Sequence, residues 1–593
     1  MSTPDYSKQG YKDIIVTLEG PVLTILINRA KKRNTFDRTL LNDLMRVFNL
    51  SDKDDRVRVV IMTAEPTAPA FCSGADISGG WDGLWTAEEE KEGEHAARDI
   101  GGQLSMVVYN SRKITIAAVN GHAAGVGMTA MQLPFDFRFA WEGAKLSFSF
   151  VRRAISPEAL STYLLPRLIG LSRANSLLLG GMTVSPTSPL IKDLYHATFP
   201  TREAVYPAAK TFAEELASNT SQLGNAYTKG LIQHAVLLMA RRGLPLSEKD
   251  VCRNLTQHCR KILLRGTPGP GRRNITEITP QTPQPFNLHI VLMAAPDYSK
   301  QGYKDIIVTL EGSILTILIN RAKQRNTFAG TLWHDLVQVF ELSDKDDRVR
   351  VIIMTAEPTA PAYCSGADIS GGWGSLWKPD EEKEGEHGHR DSGGQLSLAI
   401  YNNRKITIAA VNGHAAGVGM TAMQLPFDIR FAWEGAKFSF PFVRRGIAPE
   451  AASSYLLPRL IGVSRANSLL LTGVTVSPTS PLIRDLYHEI LPSREAVYPA
   501  ARALAEDLAA NTSQLAVAYS KGLIQHPGDS IEENHIHDSR AIKLLAGSPD
   551  GAEGALAFRE RRLPKFHATL SKDSSPWFPW WRRLDIRTRL TKL

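Results

Sequence analysis

The chain has 593 residues, of which 43% are hydrophobic and 22% charged, a composition typical of globular domains with an ample apolar core. Its formal net charge of +9 comes from two segments, since residues 235–293 hold nine Lys or Arg against three Asp or Glu and residues 567–593 hold six against two. The remainder is nearly neutral, which argues against a nucleic-acid groove as the main function.

Most of this neutral remainder consists of two copies of one domain. Residues 4–234 recur without an internal gap as residues 296–526, at a constant offset of 292. A repeat of this length is a duplicated domain, because solenoid units span only a few tens of residues. Met293 aligns with Met1, which suggests the fusion of two neighbouring genes. We therefore predict four segments: two copies of a domain at 1–234 and 294–566, a basic linker with a possible helix at 235–293, and a basic, Trp-rich, unstructured tail at 567–593.

Within one copy, the hydrophobic pattern alternates between strands and helices. A glycine-rich turn follows a strand that ends at Val119, and a helix is expected to continue from this turn through Met131. Apolar residues at helical spacing predict a helix over 39–50, and helices dominate residues 157–227. This alternation predicts an α/β fold. The β-branched runs predict strands at 14–18, 22–27, 57–62, 114–119 and 137–140.

Three short segments occupy the same internal position in both copies. They are Phe-Cys-Ser-Gly-Ala-Asp-Ile at 71–77, Asn-Gly-His-Ala-Ala-Gly-Val-Gly at 120–127 and Ile-Ser-Pro-Glu-Ala at 155–159. Taken singly, the glycine-rich turn is typical of packing or phosphate binding, and Ser-Pro-Glu is a common helix start with Ser156 as N-cap. The second copy has Ala448 at that position, which predicts a helix start weaker by ~1 kcal/mol.

In this order and at these separations, the three segments resemble those of the crotonase superfamily, the enoyl-CoA hydratase and isomerase group. The resemblance covers each copy nearly end to end, and residues 548–566 are similar to the closing helix of the family. It implies an α/β fold, a crotonase-like ββα spiral with C-terminal helices, in two tandem domains that self-associate through trimer contacts. The first copy departs from the family after His234, so we expect it to be the less stable half.

The resemblance also implies where a thioester would bind. Two backbone N–H groups of the family form an oxyanion hole, which stabilises the enolate that develops beside a thioester carbonyl. They map to Ser73 and Val126, and in the second copy to Ser365 and Val418. Coenzyme A, as part of an acyl-CoA substrate, would lie along two equivalent loops: Ser73, Gly74, Ala75, Asp76 and Ile77 in the first copy, and Ser365, Gly366, Ala367, Asp368 and Ile369 in the second.

The acid and base positions distinguish the branches of the family. Its hydratases use two glutamates, but the first position here holds Thr129 or Thr421, neither of which exchanges a proton near pH 7. The second carboxylate is present as Glu158 and Glu450. One carboxylate suffices to move a double bond, because it can take a proton from C2 of a 3-enoyl thioester and return it at C4. An apolar pocket would raise the pKa of this Glu, whereas a helix N-terminus would lower it.

Around Glu158 the sequence is most similar to the peroxisomal Δ3,Δ2-enoyl-CoA isomerase branch. The resemblance therefore predicts an isomerase with Glu158 and Glu450 as proton shuttles, an acyl-CoA partner, and no metal or redox cofactor. Two alternatives stay open. One is a hydratase or dehydratase that uses one Glu and a water, and the other is a CoA-binding scaffold without turnover.

Targeting and redox signals are weak along the chain. Four cysteines offer neither a disulfide framework nor paired metal-ligand spacing, so no metal site is expected. The start lacks an apolar leader, and no apolar run approaches the ~20 residues that span a bilayer, so neither secretion nor membrane insertion is expected. The last three residues, Thr591-Lys592-Leu593, resemble the peroxisomal signal Ser-Lys-Leu, which predicts a peroxisomal location, with the cytoplasm as the alternative.

Overall fold

Two β-sheets form the framework of each repeat in the computed structural model, which describes residues 4–78, 98–226, 228–230, 295–372 and 390–581. The first half comprises residues 4–219 and the second half residues 297–581, and both belong to one compact unit. A second unit, 220–296, is described only at 220–226, 228–230 and 295–296. The predicted linker at 235–293 therefore lies outside the described residues, and its boundaries stay a prediction.

The first half has ten described strands in two sheets. The strands are β1 Ile14–Glu19, β2 Val22–Ile27, β3 Val59–Ala64, β4 Ala70–Cys72, β5 Ile114–Val119, β6 His122–Ala124, β7 Phe137–Trp141, β8 Leu146–Ser147, β9 Thr183–Val184 and β10 Ala197–Phe199. The larger sheet has the order β1-β2-β3-β5-β7-β10 and the smaller one β4-β6-β8-β9. The pairs β1–β2 and β8–β9 are antiparallel and the other described pairs are parallel, so crossovers through helices connect them.

Helices cover the sheets of the first half. They are α1 Arg38–Lys53, α2 Ile100–Tyr109, α3 Ser161–Ile169, α4 Leu171–Gly180 and α5 Val205–Asn219. The apolar stripe of α1, which includes Leu40, Leu44 and Phe48, is fully buried, as an amphipathic helix requires. Asp37 begins this helix, because its carboxylate accepts a hydrogen bond from the backbone N–H of Leu40.

Most predicted elements are confirmed, with shifts of one to three residues at their ends. The strand at 114–119 is found as predicted, whereas the helix predicted over 39–50 spans 38–53. Two predictions are wrong. No α-helix continues through Met131, because residues 125–127 form a short 3-10 turn followed by further turns. The third helix begins at Ser161 with Leu160 before it, so Ser156 is not its N-cap, and the equivalent helix of the second half also begins without a side-chain cap.

The second half repeats this architecture at the same offset. Its sheets have the orders β11-β12-β13-β15-β17-β20 and β14-β16-β18-β19. These strands are β11 Ile306–Glu311, β12 Ile314–Ile319, β13 Val351–Ala356, β14 Ala362–Cys364, β15 Ile406–Val411, β16 His414–Ala416, β17 Ile429–Trp433, β18 Phe438–Ser439, β19 Thr475–Val476 and β20 Glu489–Leu491. The helices are α6 Gly330–Lys345, α7 Ser392–Tyr401, α8 Ser453–Ile461, α9 Val463–Thr472, α10 Arg494–Asn511, α11 Gln514–Gln525, α12 Ile531–Ala546, α13 Pro549–Glu560 and α14 Leu570–Asp573.

The closing helices of the second half pack on the first half. The helix α11 contacts α3 and α4, and α12 contacts α2 and α3. The helix α13 lies against residues 151–153, where a Cβ added to Gly554 would be 2.2 Å from the carbonyl oxygen of Arg153. The largest buried apolar cluster therefore contains residues of both halves.

The tail is ordered through residue 581, which contradicts the prediction of an unstructured extension. Phe578 is buried and stacks on Tyr519 with ring centroids 4.5 Å apart. Trp577 and Trp580 stack on each other beside it. Aromatic burial explains the order, since rings of this size contribute more than the tail loses in conformational freedom. None of the helices in the described ranges is both long and apolar enough to cross a membrane.

Candidate active site

The loop at 73–77 is held in place by the segment before α1. The backbone N–H of Phe36 donates to the Gly74 carbonyl at 2.9 Å, and the N–H of Asp76 donates to the Phe36 carbonyl at 2.8 Å. Gly74 has φ = 109°, a conformation that side chains rarely adopt. A Cβ added to Gly74 would be 3.4 Å from the carbonyl oxygen of Ala124, so the loop lies close to the glycine-rich turn.

The glycine-rich turn packs against the end of β4. A Cβ at Gly127 would be 2.4 Å from the Cys72 carbonyl oxygen, so only glycine allows this approach. The small side chains of the turn thus serve close backbone packing, and Val126 and Ser73 line the same cavity. His122 is structural, because its Nδ1 accepts from the Lys145 N–H at 2.9 Å.

Glu158 lies in a buried loop before α3, and its side chain is only 7% exposed. The two residues that follow, Ala159 and Leu160, both have positive φ, so the chain turns sharply and directs Glu158 inward. The Ser105 hydroxyl of α2 donates to the Ala159 carbonyl at 3.1 Å and anchors this loop. The helix α3 starts three residues later, and burial raises the pKa of Glu158 well above its ordinary value.

Thr129 contributes to the site without exchanging a proton. Its hydroxyl donates to Oε1 of Glu158 at 2.5 Å, a contact that favours the charged carboxylate and partly opposes the effect of burial. In the second half Thr421 donates to Glu450 in the same way. The threonine that replaces the expected glutamate therefore fixes the orientation of the remaining one.

A second carboxyl group, which sequence reasoning did not identify, lines the cavity near Glu158. Asp99 precedes α2 and accepts a hydrogen bond from the Gly102 N–H at 2.8 Å. Its negative charge is the next cause, after burial, of the raised pKa of Glu158. Burial and the neighbouring charge both favour the neutral form of Glu158.

Gly101 makes room for this pair. A Cβ added there would be 2.2 Å from Oε2 of Glu158 and 3.2 Å from Oδ1 of Asp99. The Asp-Ile-Gly-Gly sequence at 99–102 is the available sequence signal, since an Asp before a helix is a typical N-cap. It indicates a helix start but not the neighbouring carboxyl, which comes from a segment nearly sixty residues later.

The predicted residues of the first half meet around one cavity of about 520 Å³. Ser73, Val126 and Glu158 line it, together with Asp99 and Gly101. Of the predicted CoA-binding loop, Ser73, Gly74, Ala75 and Ile77 line the cavity, whereas Asp76 is not among its lining residues and accepts from the Ser78 N–H. Ile542 of α12 and Phe558 of α13 complete the wall, so the second half closes the cavity of the first.

One of the two proposed oxyanion donors already has a partner. The Ser73 N–H donates to the Arg33 carbonyl at 3.2 Å, and the Ser365 N–H donates to the Arg325 carbonyl at the same distance. These bonds are at the long end of the normal range. A thioester oxygen at this position would share or displace the bond to Arg33.

The second half contains the same groups in a more open setting. Glu450 is partly exposed, and burial together with Asp391 raises its pKa to about 8, against the opposing hydrogen bond from Thr421. Ile369 is 44% exposed, whereas its counterpart Ile77 is 8% exposed. Asp368 lines a separate cavity of about 260 Å³, whose lining does not include the other predicted residues of this half: Glu450, Ser365, Gly366, Ala367, Ile369 and Val418.

Comparison with known sequences connects this geometry to a family. The profile described as "Enoyl-CoA hydratase/isomerase" matches residues 17–246 and again residues 309–569. "Enoyl-CoA hydratase AFT3-1" of Alternaria alternata is 41% identical over 261 residues, which cover 44% of this chain and 85% of that protein. "2,3-dehydroadipyl-CoA hydratase" of Escherichia coli (strain K12) is 28% identical over 262 residues, 44% of this chain and 98% of that protein.

Solved structures match over a similar length. A probable enoyl-CoA hydratase/isomerase from Mycobacterium abscessus has 32% sequence identity and a TM-score of 0.41, covering 44% of this chain and 99% of that one. Two family matches along one chain agree with the tandem arrangement that the repeat predicts.

Proposed function

The chain belongs to the enoyl-CoA hydratase/isomerase family, and we propose that it adds water across the C2=C3 bond of an enoyl-CoA thioester at the Glu158–Asp99 pair. The observation that carries the proposal is a second buried carboxyl near Glu158: Asp99 lines the same cavity, and a Cβ added to Gly101 would be 2.2 Å from Oε2 of Glu158 and 3.2 Å from Oδ1 of Asp99. Hydration needs a base for the water and an acid for C2. The name hydratase on the 41% identical relative agrees with this reading.

The proposed reaction assigns opposite roles to the two carboxyls. Asp99, which accepts from Gly102, takes a proton from the attacking water as the C3–O bond forms. The pair of electrons of the C2=C3 bond moves onto the thioester, whose oxygen is stabilised by the Ser73 and Val126 amides. Glu158, whose neutral form is favoured by burial, then protonates C2, and the proton on Asp99 passes back to Glu158 in the same cavity.

The predicted isomerase is the second candidate. Thr129 stands where the resemblance places one glutamate of a hydratase, and this observation favours chemistry by Glu158 alone. In that case Glu158 would first have to ionise, take a proton from C2 of a 3-enoyl thioester and return it at C4. Burial makes ionisation costly, so an isomerase would work best at alkaline pH.

The substitution Asp99→Asn separates the two reactions. We expect it to reduce hydration of a 2-enoyl-CoA by about 10²–10⁴-fold, the usual contribution of a positioned acid or base. Conversion of a 3-enoyl-CoA would persist if Glu158 acts alone. The matched control is Asp391→Asn in the second half. Hydration that survives Asp99→Asn but not Glu158→Gln would contradict the proposed pair.

Other roles of the chain remain proposals with their own tests. We propose that coenzyme A enters only as part of the substrate, along the loop at 73–77. A scaffold without turnover would bind acyl-CoA in calorimetry and show no reaction with either enoyl isomer.

Self-association of the chain is tested by measuring its molecular mass in solution. The predicted signal at 591–593 lies outside the described residues and is tested by fusing those residues to a fluorescent protein.

A further inference from the structure

The helix α12 of the second half reaches both carboxyl-bearing segments of the first half. The Ser539 hydroxyl donates to Oδ2 of Asp99 at 2.7 Å and accepts from the backbone N–H of Asp99 at 3.2 Å. Asp538 accepts from the backbone N–H of Leu160 at 3.1 Å, in the sharp turn that follows Glu158. One helical turn thus holds Asp99 with one residue and the Glu158 loop with the next.

These contacts are buried and closely fitted. His535, on the preceding turn of α12, lies with Nδ1 3.1 Å from Asp538 and 3.3 Å from the Ser539 hydroxyl. A Cβ at Gly102 would be 1.6 Å from its ring, so α12 sits directly on the start of α2. Ligand atoms of Asp99, His535 and Asp538 lie within 4.8 Å of one another, but each already has a hydrogen-bond partner. The arrangement is a hydrogen-bonded network that orients carboxyls.

The second half has no equivalent contact among the residues that the structure describes. Asp391 accepts from Gly394 as Asp99 does from Gly102, yet no described hydroxyl takes the place of Ser539 at Asp391. The three atoms nearest to a Cβ on Gly394 all belong to Asp391, whereas at Gly102 they belong to His535. The start of α7 is therefore not covered in the way that α2 is.

Exposure of matched side chains shows the same asymmetry. Leu179 is fully buried and its counterpart Leu471 is 68% exposed, although the surrounding sequences are nearly identical. Tyr163 is 6% exposed and Tyr455 47%. The sequence explains this difference in exposure, because the segment 527–566 follows the second repeat and has no counterpart after His234. The described residues contain one set of closing helices for two sites, and these helices pack on the first half.

We propose that α12 is a working part of the first half's active site, in which Ser539 and Asp538 are positioning residues for Asp99 and the Glu158 loop, so that turnover takes place mainly in the first half. The inference rests on the proposed function and deepens it by assigning the reaction to one of two near-identical sites. The second half then contributes cavity-lining and positioning residues to the site of the first half.

The decisive variant is Ser539→Ala in the full chain. It removes the hydroxyl that donates to Oδ2 of Asp99, and we expect kcat to fall about 10- to 100-fold with KM nearly unchanged. The acid limb of the pH profile, which reports ionisation of the carboxyl pair, should move to higher pH, and Ser539→Thr should restore both values. The titratable or charged groups that face the pair or line its cavity are Asp538 and His535 on α12, Cys72 on β4, and Arg152 and Arg153.

A matched control lies on the same helix. Ile536 is 44% exposed, and Ile536→Ala should leave kcat and the pH profile as they are. In parallel, Glu158→Gln should reduce kcat at least ~100-fold more than Glu450→Gln does. Equal effects of Ser539→Ala and Ile536→Ala, or a larger loss from Glu450→Gln than from Glu158→Gln, would overturn the inference.

A readout independent of turnover separates this inference from the proposed function. Hydrogen exchange of the full chain should be faster at residues 155–165 in Asp538→Ala than in the wild type, with residues 447–457 unchanged, because the acceptor of the Leu160 N–H is lost. If neither enoyl-CoA reacts with the wild type, the proposed function fails while this exchange difference still supports the positioning contact. Unchanged exchange at 155–165 would overturn it.

Discussion

Gly101→Ala should separate catalysis from stability. The added Cβ would be 2.2 Å from Oε2 of Glu158, and real Cβ contacts do not fall below 3.0 Å, so the carboxylate must move by about 1 Å. A displacement of this size at the reacting group costs about 10²-fold in rate. Alanine is at the same time a better helix former than glycine by ~1 kcal/mol, which offsets part of the clash in α2.

The assay is kcat and KM for hydration of a 2-enoyl-CoA, followed by the loss of ultraviolet absorbance, alongside thermal unfolding. We expect kcat to fall about 100-fold with KM little changed and no comparable loss of thermal stability. Gly393→Ala is the matched control, because its Cβ would be 2.2 Å from Oε2 of Glu450. The reasoning would be refuted by a folded Gly101→Ala protein whose kcat is within about threefold of the wild type.

Three further results are expected. Thr129→Val removes the hydroxyl that lowers the pKa of Glu158, so the alkaline limb of the pH–kcat profile should shift to higher pH, and a shift to lower pH would contradict the assignment. Asp37→Ala should cost ~1 kcal/mol in urea unfolding, whereas Ala329→Asp, at the uncapped start of α6, should gain a similar amount; no change in either would show that the cap is unimportant. Phe578→Ala should cost ~3 kcal/mol and make the tail accessible to protease, and resistance equal to the wild type would argue against its packing.

Local patterns were sufficient to predict five of the six strands of the larger sheet and one side of the site, but none of the short strands of the smaller sheet. β-branched runs identify β2 and β5, which are largely buried on both faces, and β1, in which buried and exposed residues alternate. The glycine-rich turn is recognisable because close packing of Gly127 on β4 excludes any larger side chain. Glu158 was predicted from its motif, but its local structure was not, since Ser-Pro-Glu reads as a helix start and the chain forms a sharp turn there.

Asp99 and Ser539 could not be predicted by this reasoning. Asp99 has the local signature of an N-cap, and it is one, so nothing in its own segment indicates the neighbouring carboxyl. Ser539 lies on an ordinary amphipathic helix 440 residues away from its partner. Periodicity identifies which face of a helix is buried but not which surface buries it. Long-range pairing of this kind follows from tertiary packing alone.

The packing of the closing helices makes the two duplicated sites unequal. A repeat predicts two equivalent sites, yet burial of Glu158 and partial exposure of Glu450 arise from nearly the same sequence. The difference is supplied by α12 and α13, which lie on the first half and contribute Ile542 and Phe558 to its cavity. Burial raises the pKa of both glutamates, but only Glu158 is fully covered, so we expect the two copies of one motif to differ in turnover. The closing helices of the second half therefore supply part of the cavity wall of the first half.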